Sequence, residues 1–184
     1  MFIVGSWNDC IELSLDINEA FSKYSQGTLT LSAGIGMYHD HYPMSRMAHE
    51  TGKLEGMAKN ADAQKNKIAL FKSDRVFSWN VLRERVMGEK LRTIQNFFME
   101  HDERGMAMIY KLLDYLRNVD SDRINIPRLA YLLARLEPKD EGKKAGYADF
   151  MRKFYEWALD KKERGELETA LELYIYLRRG ERTR

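Results

Sequence analysis

The sequence has little of what would mark a secreted or membrane protein. Among 184 residues there is one cysteine, Cys10, so no disulfide can form within the chain, and we expect this thiol on the apolar side of a helix. No apolar run approaches the about 20 residues that span a bilayer, and the first residues lack the charged flank of a secretory signal. We therefore predict a cytoplasmic globular protein without a membrane segment.

An excess of charge of one sign is also missing. Lysine and arginine number 30 and aspartate and glutamate 28, which gives a net charge of +2, too mild to indicate nucleic-acid binding by itself. The basic end, from Arg178 to Arg184, is typical of a solvated tail. With 44% hydrophobic residues, the chain can bury one substantial core or two small ones.

The segment Gly27–Tyr38, GTLTLSAGIGMY, alternates strictly between two kinds of side chain. One set is aliphatic and the other is hydroxyl or glycine, as in Ser32, Gly34 and Gly36. A period of two predicts a strand whose aliphatic face packs on a core. Two glycines at i and i+2 mark a close approach to the other face, by a ligand, by a tightly packed helix or at a bulge.

The periodicity changes near residues 77–80, so we predict two domains, 1–77 and 78–184. In the first we expect the following elements: a strand Phe2–Val4, a helix Trp7–Ser25 with Ser6 and Asp9 as a capping box, a helix opened by Pro43, and strands Asn66–Phe71 and Arg75–Phe77. In the second we expect five helices: Asn80–His101, Met106–Val119, Pro127–Leu136, Gly146–Glu163 and Glu166–Arg179. The polar connector Glu137–Ala145 is predicted to be a flexible loop.

The stripes predicted to be buried follow from helical spacing in the two helices of the first domain. They comprise Cys10, Leu13, Ile17, Ala20, Phe21 and Tyr24 in one helix, and Met44, Met47, Ala48, Leu54, Met57 and Ala58 in the other. Candidate polar chemistry is sparse. His39 and His41 flank Asp40 and could offer two imidazoles to a metal, but no convincing further ligand stands nearby.

Lys59 follows the apolar stripe at the end of the second helix. It either holds a phosphate or complements the helix dipole, and the same two interpretations apply to Lys65 and Lys67. The hydroxyl of Ser32 either faces a ligand or bonds the backbone.

Several segments together resemble the large subunit of type III-A CRISPR effector complexes, the Csm-complex polymerase-cyclase family. The similarity covers essentially the whole chain. It rests on FIVGSWND at Phe2–Asp9, QGTLTLSAGIGMY at Gln26–Tyr38, YPMSRMAHETGKLEGMAKN at Tyr42–Asn60, KIALF at Lys67–Phe71, FSWNVL at Phe77–Leu82, RLAYLLARLEP at Arg128–Pro138 and TALELYIYLRR at Thr169–Arg179. A relic of a cyclic-dinucleotide cyclase fits less well, because those enzymes do not end in this helical domain.

The resemblance implies an α+β fold: the C-terminal part of a ferredoxin-like, cyclase-type palm followed by an all-α bundle. In the family, a Gly-Gly-Asp-Asp hairpin of the second palm binds divalent metal and converts ATP to cyclic oligoadenylates, and an HD domain cuts single-stranded DNA. Neither feature is in this sequence, and the hairpin would be expected immediately before Phe2. We therefore expect no catalytic residue and no metal ligand in this chain alone.

The resemblance implies that this chain contributes one wall of a nucleotide site. Ser32, Gly34 and Gly36 would line the nucleotide, and Lys59 matches the lysine of an Ala-Lys signature that related cyclases use on the triphosphate. ATP with Mg or Mn is the implied cofactor of the intact subunit, and none is expected to bind tightly to this fragment.

Two functions follow, both in antiviral defence. In the first, the chain contributes nucleotide-site residues and a helical docking domain to a cyclic-oligoadenylate synthase subunit. In the second, it is a non-catalytic scaffold that binds the other Csm-complex subunits and the guide or target RNA. An exposed sheet edge also predicts that the isolated chain forms a homodimer.

Overall fold

The computed structural model describes residues 1–72, 74–100 and 106–182, without the side chains of residues 100 and 180–182. The chain forms two compact units, Met1–Arg83 and Glu84–Arg184. The α+β class is confirmed, with strands in the first unit and a helical second unit. No helix among the described residues is long and apolar enough to cross a membrane.

The first unit contains a short mixed sheet and two helices. The elements are α1 (Trp7–Tyr24), β1 (Ala33–Ile35), α2 (Met44–Asn60), β2 (Lys67–Leu70) and β3 (Val76–Ser78). The sheet order is β1-β2-β3, with β1 and β2 parallel and β3 antiparallel to β2. Because β1 and β2 are parallel neighbours, α2 connects them as a crossover helix and runs back against both strands.

One face of β1 and β2 carries α2 at very short range. Gly34 pairs with Ala69 across the two strands, so both lie on the same face, and Leu54 and Ala58 of α2 form a buried cluster with Ala69. A Cβ placed on Gly34 would lie 2.5 Å from the backbone nitrogen of Glu55. The close approach that this glycine predicts is therefore made by the backbone of α2. The opposite face carries Ile35, Ile68 and Leu70, which are all buried.

Several expectations for the first unit are wrong. Residues 2–4 form no strand, and Phe2, Ile3 and Val4 are each more than 40% exposed, because they pair with none of the described strands. β1 spans three residues instead of the whole segment 27–38, since its ladder with β2 covers only three positions. The capping box is incomplete: the Ser6 hydroxyl donates to the Asp9 carboxylate at 2.5 Å rather than capping a backbone N–H.

The buried stripes of these helices are narrower than helical spacing predicts. In α1 the buried residues are Ile11 and Leu15, while Leu13 and Tyr24, expected in the core, are 43% and 87% exposed. In α2 the prediction is confirmed for Leu54 and Ala58. It is wrong for Met44 and Met57, which are 61% and 42% exposed. Periodicity identifies a face of a helix, and the neighbouring elements then decide how much of that face is covered.

The second unit is built from helices. A π-helical segment, Val81–Leu91, continues into α3 (Arg92–Glu100), and is followed by α4 (Met106–Arg117), α5 (Asn125–Ala134), α6 (Glu141–Leu159) and α7 (Lys161–Arg182). The division between the two units falls within the π-helical segment. His101, the expected end of the first of these helices, lies outside the described residues.

The connector between α5 and α6 is shorter than predicted. α6 begins at Glu141, so most of the expected loop 137–145 is helical, and the Asp140 side chain caps the helix by accepting from the Gly142 N–H at 3.0 Å. The core contains a group of aromatic rings in which Phe97 stacks on Phe150 at 3.9 Å between centroids. The leucines that recur at helical spacing in α4 and α5, such as Leu112 and Leu133, are buried.

A buried lysine is the least expected feature of this core. Lys90 is fully buried, with its Nζ 2.7 Å from Glu163, 2.8 Å from Glu166 and 5.0 Å from the centre of the Trp157 ring. Arg85 pairs with both glutamates. A charge this deep is tolerated only with such partners, because the lost hydration has to be offset.

Replacing Gly34 tests the packing of α2 on the sheet. We expect Gly34→Ala to lower the free energy of unfolding by about 1–3 kcal/mol, because the new methyl would overlap the backbone of α2. The matched control is Gly52→Ala in α2, where an added Cβ meets nothing within 4 Å, and stability should rise by about 0.5–1 kcal/mol. Urea unfolding of the two variants measures both, and equal stabilities would contradict this packing.

Replacing Lys90 tests the buried charges. We expect Lys90→Met to cost about 3–5 kcal/mol, because Glu163 and Glu166 would then share one cation, Arg85, and one carboxylate charge would be left unbalanced in the core. Lys111→Met, on the exposed side of α4, should stay within about 0.5 kcal/mol of the unsubstituted chain. Adding Glu166→Gln to Lys90→Met should recover part of the loss. If the double variant is less stable than Lys90→Met, an unbalanced buried charge is not the cause of the lost stability.

Candidate functional site

The turn between α2 and β2, residues 61–66, lies where β1 and β2 begin. This position follows from topology: α2 runs back against the strands, so its last turn, which carries Lys59, arrives at the edge of the sheet where both strands start. We call residues 61–66 the α2–β2 turn. Three lysines, Lys59, Lys65 and Lys67, lie before, within and after it.

The polar side chains that precede β1 are hydrogen-bonded to this turn. The Thr30 hydroxyl donates to the Gln64 carbonyl at 2.8 Å, and the Ser32 hydroxyl donates to the Lys65 carbonyl at 2.5 Å. The Asp62 carboxylate accepts from the Lys65 N–H at 3.0 Å. Lys65 itself has a φ of 50°, the left-handed region that residues other than glycine seldom adopt.

The three lysines differ in their electrostatic surroundings. Lys59, whose side chain is 51% exposed, lies 2.5 Å from Glu55 in the preceding turn of α2. Lys67 lies 2.9 Å from Asp62, and the hydrogen bond from Lys67 lowers the pKa of the Asp62 carboxyl below its ordinary value. Lys65 is exposed and has no carboxylate partner in the part of the chain that the structure describes. The arrangement presents positive charge at one edge of the sheet and suits an anionic ligand.

The far end of β1 is closed by two tyrosines. The Tyr38 and Tyr42 rings stack at 5.0 Å, the Tyr38 hydroxyl lies 3.2 Å from the Thr51 hydroxyl, and the Tyr42 hydroxyl donates to Glu50 at 2.5 Å. This last bond raises the pKa of Tyr42 above its ordinary value. A Cβ on Gly36 would overlap the Tyr38 ring, so the missing side chain of Gly36 leaves room for that ring.

The four residues predicted to line a nucleotide therefore do not converge on one point. Ser32 and Lys59 share the edge where the strands begin, and Gly34 lies beneath α2. Gly36 lies about 13 Å from Ser32, the length of four strand residues. Their nucleotide-binding roles stay predictions. The segment His39–Tyr42 forms a turn closed by a 2.8 Å backbone hydrogen bond, and within the described ranges no three His, Cys, Asp or Glu residues are grouped to hold a metal.

Among the residues that organise the α2–β2 turn, sequence reasoning named Ser32, with a bond to the backbone as one of two interpretations, and the Ser32 hydroxyl does donate to the Lys65 carbonyl. It missed Thr30 and Asp62. Thr30 and Ser32 belong to the alternating polar set, which indicates that they share a face but not what they bond. Asp62 stands near the start of this segment, and aspartate favours turns because its side chain bonds the backbone nearby. This aspartate is the local signal that could have revealed the turn.

The pair of Asp62 and Lys67 makes a prediction about pH. The folded pKa of Asp62 is lowered, so the pair contributes stability above the ordinary carboxyl pKa and loses it as the pH falls through the lowered value. Removing the partner by Lys67→Gln should move the Asp62 titration midpoint upward in carboxyl NMR. Lys53→Gln, an exposed change on α2, should leave it unchanged. An unmoved midpoint in Lys67→Gln would show that another group lowers the pKa.

Comparisons with known proteins agree on both units. Residues 1–69 match the model of the Cas10/Cmr2 second palm domain, and residues 95–180 match that of the second helical domain of the Cmr2 subunit of the CRISPR RNA silencing complex. Three curated relatives are each named CRISPR system single-strand-specific deoxyribonuclease Cas10/Csm1 of subtype III-A. The protein of Mycobacterium tuberculosis is 44% identical over 98% of this chain, that of Streptococcus thermophilus 42% over 96%, and that of Enterococcus italicus 41% over 96%.

The matches cover nearly all of this chain but only a part of each relative. The chain spans 22% of the length of the Mycobacterium tuberculosis and Enterococcus italicus proteins and 23% of that of Streptococcus thermophilus. The predicted resemblance is confirmed, in the same order of palm and helical parts along the sequence. The chain belongs to the Cas10/Csm1 family of subtype III-A CRISPR systems.

Proposed function

We propose that this chain forms part of the nucleotide site of a type III-A large subunit that makes cyclic oligoadenylates from ATP. Its helical unit would dock onto neighbouring subunits of the complex. The observation that carries the first part is the gathering of Lys59, Lys65 and Lys67 around the α2–β2 turn. Lysines at one edge of a sheet suit the phosphates of a nucleotide, which carry several negative charges in a small volume.

Lys59 is the lysine on which the proposal depends most. Its partner Glu55 is on the same helix and one turn away, and such exposed pairs contribute little stability. A triphosphate can therefore displace the Glu55 carboxylate at a small cost in free energy. Its oxygens then accept hydrogen bonds from the Lys59 ammonium group. The last turn of α2, which carries Lys59, arrives at the edge where β1 and β2 begin.

A divalent metal needs other ligands than these lysines. Phosphoryl transfer by two metals needs clustered carboxylates, and the described residues contain no group of three metal-ligating side chains. These residues do not fit a Mg or Mn ion, so we propose that the metal ligands and the catalytic groups lie elsewhere in the complete subunit. The role of this chain is then to bind and orient ATP.

A scaffold function is favoured by one surface of the helical unit. On α5 the Tyr131 side chain is 67% exposed and stands between the exposed Arg128 and Arg135. The helix contains no acidic residue. Exposed arginine and tyrosine are typical of interface anchors and of contacts with RNA. The other Csm subunits, or guide and target RNA, are the partners that this surface would serve.

Substitution of Lys59 separates the two functions. In the complete subunit assembled in its complex, Lys59→Ala should lower production of cyclic oligoadenylates by at least about tenfold, since a charged hydrogen bond to phosphate contributes roughly 1.5–3 kcal/mol. Mass spectrometry of the product measures this, and gel filtration checks assembly.

Lys53→Ala is the matched control, because Lys53 is on the same helix and exposed. Full synthesis by the Lys59→Ala complex would overturn the nucleotide role of this lysine and leave the scaffold function as the better account.

A further inference from the structure

The hydroxyl groups of Thr30 and Ser32 are already engaged. Each donates its proton to a carbonyl of the α2–β2 turn, Thr30 to Gln64 at 2.8 Å and Ser32 to Lys65 at 2.5 Å. Phosphate oxygens at neutral pH accept hydrogen bonds, so a phosphate needs donors. A hydroxyl has only one proton to give, and the Ser32 proton is committed to the backbone of the turn.

These bonds fasten one residue, Lys65, at both of its backbone polar groups. Its carbonyl accepts from Ser32, and its N–H donates to the Asp62 carboxylate at 3.0 Å. The backbone so held has the left-handed φ of 50°, where a lysine is uncommon and glycine would be easier to place. The Lys65 side chain is meanwhile exposed and has no carboxylate partner within the described ranges, unlike Lys59 and Lys67.

We propose that Lys65 binds a phosphate of the nucleotide and that Thr30 and Ser32 are positioning residues acting through it. This inference rests on the proposed function and reassigns Ser32 from nucleotide ligand to support of the turn. The physical reason is preorganisation: a lysine on a loose loop would have to order that loop on binding, whereas a turn held at three points has already lost that freedom.

A double-mutant cycle in the complete subunit tests the inference. The probes are ATP, inorganic triphosphate and adenosine, with affinities measured by calorimetry. Lys65→Gln should weaken binding of ATP and triphosphate about tenfold and leave adenosine unchanged, because only the phosphates meet the lysine. Ser32→Ala should weaken the same two ligands several-fold, and Ser32→Thr, which keeps the hydroxyl, should restore binding.

The decisive comparison is the double variant. If Ser32 acts through Lys65, Ser32→Ala should have no further effect on triphosphate affinity once Lys65→Gln is present. Independent, additive losses would overturn the positioning role, as would unchanged triphosphate affinity in Ser32→Ala.

Thr30 has a matched control two residues away. The Thr28 hydroxyl donates to the Ser25 carbonyl at 2.6 Å, not to the turn, so Thr28→Val should leave triphosphate affinity unchanged while Thr30→Val lowers it. Equal effects of the two variants would overturn the role of Thr30.

Failure of this inference can be told from failure of the proposed function. Weaker binding in Lys59→Ala with unchanged binding in Lys65→Gln overturns the inference and leaves the proposed function standing. No binding of ATP or triphosphate by the unsubstituted subunit overturns both.

Discussion

The contact between Gly34 and the backbone of α2 is the constraint on which the first unit depends. Without a side chain at this position, the helix lies directly on the strand, and a Cβ there would come within 2.6 Å of the Thr51 carbonyl. Leu54 and Ala58 then pack on Ala69 of the next strand. With the helix held at its middle, its last turn and Lys59 have a defined place at the edge of the sheet.

Hydrogen bonds from polar side chains hold the part of this unit that apolar packing does not hold. The α2–β2 turn has few apolar groups to bury, so its conformation depends on bonds from Thr30, Ser32 and Asp62. Neighbouring carboxylates determine how much positive charge the lysines around this turn present. Asp62 and Glu55 each neutralise one ammonium group at the surface, where such pairs are weak and an anion of higher charge can compete with them.

The second unit shows which features the spacing of apolar residues can predict and which it cannot. Its helices could be predicted because apolar residues recur at helical spacing, and the rings of Phe97, Phe98 and Phe150 meet in its core. The π-helical segment and the burial of Lys90 could not be predicted. From the sequence, a lysine is expected to be exposed. The partners that allow Lys90 to be buried are Glu163, Glu166 and Trp157, which are more than sixty residues away along the chain.

From the amino-acid sequence alone one can predict the α+β class, the approximate positions of α2, β2 and β3, and the family. These depend on local periodicity and on residues in a fixed order. Four further features depend on contacts between distant segments: residues 2–4 form no strand, β1 is three residues long, α2 covers Gly34, and Ser32 bonds the carbonyl of Lys65. A strand needs a partner strand and a hydroxyl needs an acceptor, and here the acceptor is 33 residues away along the chain.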